Sequence, residues 1–489
     1  MLIKTKNGIL RGEETDGTAI FLGIPYAKAP IGELRWKAPL PAEDWEGIRE
    51  ATEFGHASAQ PIFEQSYADK HLSNAEPMSE DCLYLNVWAP KKAAEENKGL
   101  PVLFVIHGGG FKYFSGSTSA LNGFELAKQD VVVVTINYRL GIMGFFAHPE
   151  LSRESENGVS GNYAILDQIA ALKWVNENIS AFGGDPDQVT ICGESAGAFS
   201  VSVLCASPLA KGLFEKATAQ SGSYMDKKTV MYTLMDLQEA ESHFSALVGG
   251  KSLSELRNMS TQEMIDLLEN AEMKSVSPIC DDYVFPSDIK QAIKDGRIND
   301  VPLLIGSNRD EGTLFAPQSG NPDELAAIAA HMLGAEKVQE FLKIYPNDDK
   351  ETTIRSMIQF FGDSSFTHNM YSWAKELANH GKNNVYLYYY CLVPPSTSFG
   401  AHHSSELVYF FHNLCRSNNA WTQRDFEMEN MYSSYIMNFI KTGNPNGEGL
   451  PLWTPFAENK EEILIMDDKT QMETNPRLEA MRFWDSVCE

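Results

Sequence analysis

The sequence predicts an α/β fold built on a mostly parallel central sheet. Three observations carry that prediction. Short apolar runs alternate with helical segments along most of the chain. The run 131–137 is rich in β-branched residues and has no polar face, as a central parallel strand requires. The segment 163–179 repeats its apolar residues at helical spacing.

In chain order, the first third looks like strands and turns. The charged stretch KKAAEENKG, residues 91–99, reads as an exposed loop. A strand at 102–106 follows and ends in His107-Gly108-Gly109-Gly110-Phe111. After the 131–137 strand, Ile165, Ile169, Leu172, Val175 and Ile179 mark one face of a helix. Phe182-Gly183-Gly184-Asp185-Pro186 stops it. A strand at 188–192 and a helix over 200–205 flank Gly193-Glu194-Ser195-Ala196-Gly197. Further strands are expected at 216–220, 301–306 and 385–391, the last being the final one. Between them lie helical excursions, roughly 225–300 and 315–380. Two of their helices open with capping boxes, Ser252 to Glu255 and Ser260 to Glu263. Met264, Leu267 and Leu268 give the second an apolar face. These excursions either line and cover a site or are plain packing.

The totals narrow the function. A chain of 489 residues with 43% apolar and 22% charged residues has the composition of a globular enzyme. Its apolar runs are far too short to span a bilayer. The formal net charge of −26 repels nucleic acid and anionic membrane surfaces, and steering of cationic substrates is a minor alternative to a merely solvated acidic surface. The N-terminal segment lacks the apolar core of a secretory signal, so the chain is expected in the cytoplasm unless a leader was removed. Seven cysteines, odd in number and without C-x-x-C spacing, argue against zinc and against a disulfide framework. They are expected to be buried, reduced thiols in a reducing compartment.

The chemistry rests on four pieces, each past a predicted strand end. The first is Ser195, inside G-x-S-x-G between a strand and a helix, the context of a nucleophile raised on a tight turn. Gly193 and Gly197 remove side chains that would strike the neighbouring strand and helix. The bland alternative is a glycine-rich bend. The second is the triple glycine after His107. Successive glycines let backbone amides converge on a developing oxyanion, with Gly109, Gly110 and Ala196 as donors, and no G-K-[ST] follows to make it a phosphate loop. The third is Asp310-Glu311, where one of the two carboxylates is expected to face the site. The fourth is His402-His403, late in the chain as the order Ser, acid, His demands. One of the two is the base. His56, His71, His148, His243, His331, His368, His380 and His412 read as ordinary surface or packed residues. Phe111, Phe315, Phe360 and Phe361 are candidates for a substrate pocket and equally for core.

The sequence also resembles the type B carboxylesterases, the group that includes cholinesterases and bacterial para-nitrobenzyl esterases. The likeness runs through Phe21-Leu22-Gly23-Ile24-Pro25-Tyr26-Ala27, Ser79-Glu80-Asp81-Cys82-Leu83-Tyr84-Leu85-Asn86-Val87 and Asn137-Tyr138-Arg139-Leu140-Gly141. It continues through the Ser195 turn, Asp310-Glu311-Gly312 and Lys441-Thr442-Gly443-Asn444-Pro445. The resemblance implies a single α/β-hydrolase domain over 1–489, with the excursions as insertions around the site. It selects Glu311 over Asp310 and His403 over His402, alongside Ser195. It gives the oxyanion donors as Gly109, Gly110 and Ala196, and Glu194 a supporting electrostatic role. Many relatives pair the cysteine at position 82 with an upstream one, and here Ser58 stands in its place, which suits an intracellular bacterial member.

The expected activity is hydrolysis of carboxylic esters through an acyl-enzyme, with Ser195, His403 and Glu311 as the triad and no cofactor or metal. The expected partner is a small-molecule ester, bound by a monomer that engages neither nucleic acid nor membrane, in a pocket walled in part by Phe111 and Phe315. The alternatives are the same mechanism on amides, thioesters or lactones, and a non-catalytic binding module.

Overall fold

A computed structural model of the chain describes residues 1–62, 77–271, 276–395, 397–417 and 419–488. His71 lies outside the described residues. The core of the architecture is one sheet of eleven strands: β1 (Glu13–Thr15), β2 (Thr18–Pro25), β3 (Tyr84–Pro90), β4 (Leu100–Ile106), β5 (Val132–Ile136), β6 (Gly184–Glu194), β7 (Lys216–Gln220), β8 (Leu303–Asn308), β9 (Val385–Tyr390), β10 (Glu462–Met466) and β11 (Gln471–Thr474). Their order across the sheet is β11-β10-β9-β8-β7-β6-β4-β5-β3-β2-β1. The block from β5 through β4 and β6 to β10 is parallel, and antiparallel strands close both edges. Helices flank the sheet, and the arrangement is an α/β-hydrolase fold.

Strand β4 explains why the parallel block reads as apolar runs. Val102, Phe104 and Ile106 enter one core, while Leu103 and Val105 enter the core on the opposite face. Both faces of the strand are dry, so neither set can be polar. The chain passes from β4 to β5 on one side and returns to β6 on the other. That reversal opens a crevice beyond the carboxyl ends of β4 and β6, where α/β sheets bind ligands.

Of the flanking helices, α2 (Tyr163–Asn178) follows the short α1 (Lys91–Glu96), and α3 (Ala196–Ala206) starts directly after β6. The apolar stripe of α2 is buried, but so are Asp167, Gln168 and Trp174 outside it. Asp167 is held there by Arg139, whose Nε and Nη2 donate at 2.8 and 2.7 Å.

Three expectations need correction. Residues 91–99 are not wholly loop, because 91–96 form α1 with Ala93 and Ala94 buried, and Asn97 ends it in the left-handed conformation. The two alanines supply a small packing face that the charged composition conceals. Strand β9 is not the last, since β10 adds in parallel and β11 turns back beside it. The cysteines are not all buried: five are, Cys415 is exposed and Cys488 is half-buried. Burial pushes the Cys82 thiol up to about 12, against the opposing pull of a hydrogen bond with Ser58. Ser58 thus stands within hydrogen-bonding reach of Cys82.

Both helical excursions carry the expected helices. The capping boxes of α4 (Leu253–Asn258) and α5 (Thr261–Glu269) are formed by Ser252 with Glu255 and by Ser260 with Glu263. In the second excursion, α6 (Lys350–Gly362) runs through a π-helical turn, Asp363–Thr367, into α7 (His368–His380).

Candidate active site

Ser195 sits between β6 and α3 with φ 54° and ψ −125°. A non-glycine residue adopts this geometry only under strain, and such strain concentrates at functional turns. The surroundings enforce it. A Cβ on Gly197 would stand 2.1 Å from the Ile106 carbonyl oxygen, and one on Gly193 would stand 2.3 Å from the Gly197 backbone. The turn therefore presses directly on the end of β4, and both glycines are obligatory. The Ser195 amide is tied to the Gln220 carbonyl at 2.8 Å, which fixes the turn to β7.

The oxyanion candidates converge from two sides. Gly109 and Gly110, past the end of β4, have φ 97° and 60°. Ala196 is the first residue of α3, where backbone amides have no intrahelical acceptor. Among the described residues none of these three amides donates to another protein group. His107 is kept neutral by burial, which lowers it to about 4. Its Nδ1 donates to the Gly108 carbonyl at 2.9 Å.

Glu311 follows β8 and is fully buried. One oxygen accepts from the Asn308 amide at 2.7 Å and from the Ser221 hydroxyl. The other lies 2.5 Å from His403 Nδ1. The adjacent Asp310 turns the other way. It pairs with Arg309 at 2.8 Å and accepts from the Ala401 amide at 2.7 Å. The structure thus brings Glu311, not Asp310, to the histidine. His402 Nδ1 bonds the His403 carbonyl at 2.8 Å.

With Nδ1 committed to Glu311, His403 Nε2 is the nitrogen left for a substrate-side partner. It lies 3.1 Å from Glu194 Oε1, but without the alignment of a hydrogen bond. Ser404 holds that same Glu194 oxygen at 2.5 Å. Phe366 and Phe315 clamp the imidazole ring from two directions, with centroids 4.7 and 5.1 Å away. No hydrogen bond joins Ser195 Oγ to His403, and bonds of this kind commonly tighten only around substrate.

The charges are concentrated. Burial raises Glu194, and burial with the nearby Glu194 and Glu311 lifts Glu406 to about 8. Burial opposes the imidazolium of His403, yet Glu194, Glu311 and Glu406 outweigh it and lift the ring to about 9. Glu406, Ser404, Ser221 and Asn308 were not singled out from sequence. Glu406 stands three residues after His403, and that short spacing is the only signal the sequence carries for it.

Ser195, His403, Glu194 and the glycine loop all border one cavity of about 580 Å³. Its walls are mainly aromatic and aliphatic. Phe111 and Phe315 line it, the former buried and the latter 37% exposed. Phe360 does not; it packs in the core on Phe341 and Trp484. Phe361 packs on Phe360 instead of the cavity. Both excursions reach the wall, through Met231, Tyr232 and Val276 and through Ser365 and Phe366.

The sequence model of the carboxylesterase family matches residues 1–484. The chain belongs to the carboxylesterase family. A para-nitrobenzyl esterase of Bacillus subtilis (strain 168) is 36% identical over 499 residues, covering 98% of this chain and 97% of that one. A fumonisin B1 esterase of Sphingopyxis macrogoltabida is 36% identical over 420 residues, covering 84% of this chain and 74% of its own. Among solved structures, a PNB esterase matches with a TM-score of 0.86 at 33% identity, covering 99% of each chain. This carboxylesterase is therefore a carboxylic ester hydrolase of the serine-hydrolase group. Among the described residues no helix is long and apolar enough to cross a membrane.

Proposed function

We propose that Ser195, His403 and Glu311 are the catalytic triad of this esterase, with the amides of Gly109, Gly110 and Ala196 as its oxyanion hole. Ser195 Oγ attacks the ester carbonyl while His403 Nε2 takes its proton. Glu311 holds the ring through Nδ1, so that Nε2 faces the serine and the imidazolium that forms is stabilised. The three amides receive the oxyanion of the tetrahedral intermediate, each such donor being worth about 3 kcal/mol. His403 then returns the proton to the leaving alcohol. Water, activated by the same ring, releases the acyl group. The observation that carries the reading is the buried Glu311–His403 pair at 2.5 Å, opening on the same cavity as the strained Ser195 turn.

The cavity walls favour neutral esters with apolar bulk on both sides of the scissile bond. The single sheet spanning residues 13–474 supports one hydrolase domain, with 225–300 and 315–380 as insertions over the site. The seven unpaired cysteines and Ser58 opposite Cys82 favour a reducing compartment such as the bacterial cytoplasm.

The test is initial rates on nitrophenyl and nitrobenzyl esters of increasing acyl length, for the native chain and for Ser195→Ala. The expected result is turnover by the native chain and a loss of roughly 10⁴-fold or more in the variant. Equal weak rates in both proteins would refute the assignment of Ser195.

A further inference from the structure

A second cavity, of about 400 Å³, shares Tyr224 with the first. Beside it lies a set of side chains that the esterase mechanism does not use, two of which, Asp226 and Cys488, line it. An Asp226 carboxylate oxygen, a His368 ring nitrogen and Cys488 Sγ all lie within 4.8 Å of one another. They come from three distant places: the loop after β7, the first residue of α7, and the last residue of the C-terminal helix α8 (Leu478–Cys488). No short spacing in the sequence reports such a group, which is why a search for cysteine pairs finds nothing.

The surroundings are ordered as metal sites are. His368 Nε2 meets Asp485 Oδ1 at 3.0 Å, and Asp485 is itself anchored by Lys375 at 2.9 Å. That carboxylate turns the other ring nitrogen, Nδ1, toward Asp226 at 2.7 Å. A carboxylate behind a histidine is the usual second layer of a zinc site, and it fixes which nitrogen binds. Asp226 and His368 are buried, and Asp226 and Cys488 both face the cavity, which supplies an entry path. One thiol, one imidazole and one carboxylate are ligands zinc accepts together, at about 2.0–2.3 Å. Tetrahedral bonds of that length put ligand atoms about 3.3–3.8 Å apart, so the widest spacing closes by at most about 1 Å and the Asp226–His368 pair opens from 2.7 Å.

We propose that Asp226, His368 and Cys488 bind one zinc ion that clamps the C-terminal helix to the elements behind the substrate cavity. The fourth position faces the second cavity and takes water. Binding forms three metal–ligand bonds and sends the protons of His368 Nδ1 and Cys488 Sγ to solvent. Two positive charges leave as two arrive, so Lys290, 3.4 Å from Asp226, meets no added charge.

The test uses the full chain, stripped with a chelator and then titrated with zinc by calorimetry and with cobalt(II) by absorption. The expected result is one ion per chain, a thiolate-to-cobalt charge-transfer band, and a higher thermal midpoint with zinc. Cys488→Ser should lose the band and the zinc-dependent shift while hydrolysing a neutral nitrophenyl ester at the native rate. Asp485→Asn should keep the band and weaken affinity roughly 10–100-fold. Cys280→Ser, in the same cavity but outside the cluster, should bind as the native chain does. No uptake at micromolar zinc, or uptake that Cys488→Ser leaves intact, would overturn the proposal and leave the cluster as an ion-pair network alone.

Discussion

In the proposed mechanism His403 has to be neutral to accept a proton, yet it stands among buried carboxylates. Burial alone would favour the neutral ring, but Glu194, Glu311 and Glu406 reverse the sign and raise it to about 9. The sign of the pH dependence follows. The base is ready only above its own titration, so kcat/KM rises with pH along a limb lying above the ordinary histidine value of about 6.5. Glu194 is the largest of the raising influences. Glu194→Gln should therefore move the limb to lower pH in a pH–rate profile, and a limb that stays put or moves up would remove Glu194 from this role. Glu311→Gln behaves differently, because it also offers His403 the wrong hydrogen-bonding partner; the expected loss is about 10⁴-fold in kcat near neutral pH. Ser195, Glu311 and His403 were legible as residue types at strand ends. The choice of Glu311 over Asp310 was not legible from spacing, because it depends on which carboxylate turns inward, and Arg309 draws Asp310 outward.

Strands β4, β5 and β9 were legible because both of their faces are buried and leave nearly continuous apolar runs. The edge strand β11, Gln471–Thr474, carries no such run, since half of it is exposed. The π-helical turn Asp363–Thr367 was hidden for another reason: its residues read as one continuous helix, and only the packing reveals the wider turn that brings Phe366 to His403. Helix α2 shows how an element can be fixed by a polar residue that its apolar pattern ignores. Asp167 takes three hydrogen bonds from Arg139, one from the backbone amide, and Arg139 also donates to the Lys37 carbonyl at 2.9 Å. The pair is buried, so removing one partner strands the other charge. Asp167→Asn should cost about 3–5 kcal/mol, read as a lower urea midpoint, whereas Arg139→Met with Asp167→Leu should recover most of it. Equal losses in the single and double variants would mean that the pair itself, not the stranded charge, supplies the stability.

A net charge of −26 belongs to no single residue, and it acts on whatever approaches the cavity mouth. The potential of such a surface concentrates cations and repels anions, by about tenfold or more where a cleft focuses it. Glu194 at the cavity floor extends the same sign inward. The walls are mainly apolar, so discrimination by charge comes either from the long-range field or from Glu194 at short range. Two nitrophenyl esters of equal shape separate the two contributions, one bearing a trimethylammonium group and the other its neutral tert-butyl counterpart. At about 10 mM salt the field reaches about 30 Å, and at about 0.1 M only about 10 Å. The ratio of kcat/KM, cation over neutral, should fall by about tenfold between low salt and 0.5 M, with the neutral ester unchanged. A ratio that is high at both salts would instead locate the preference in short-range contacts with Glu194, and Glu194→Gln would then abolish it. A ratio near one throughout would make the acidic surface a matter of solubility alone.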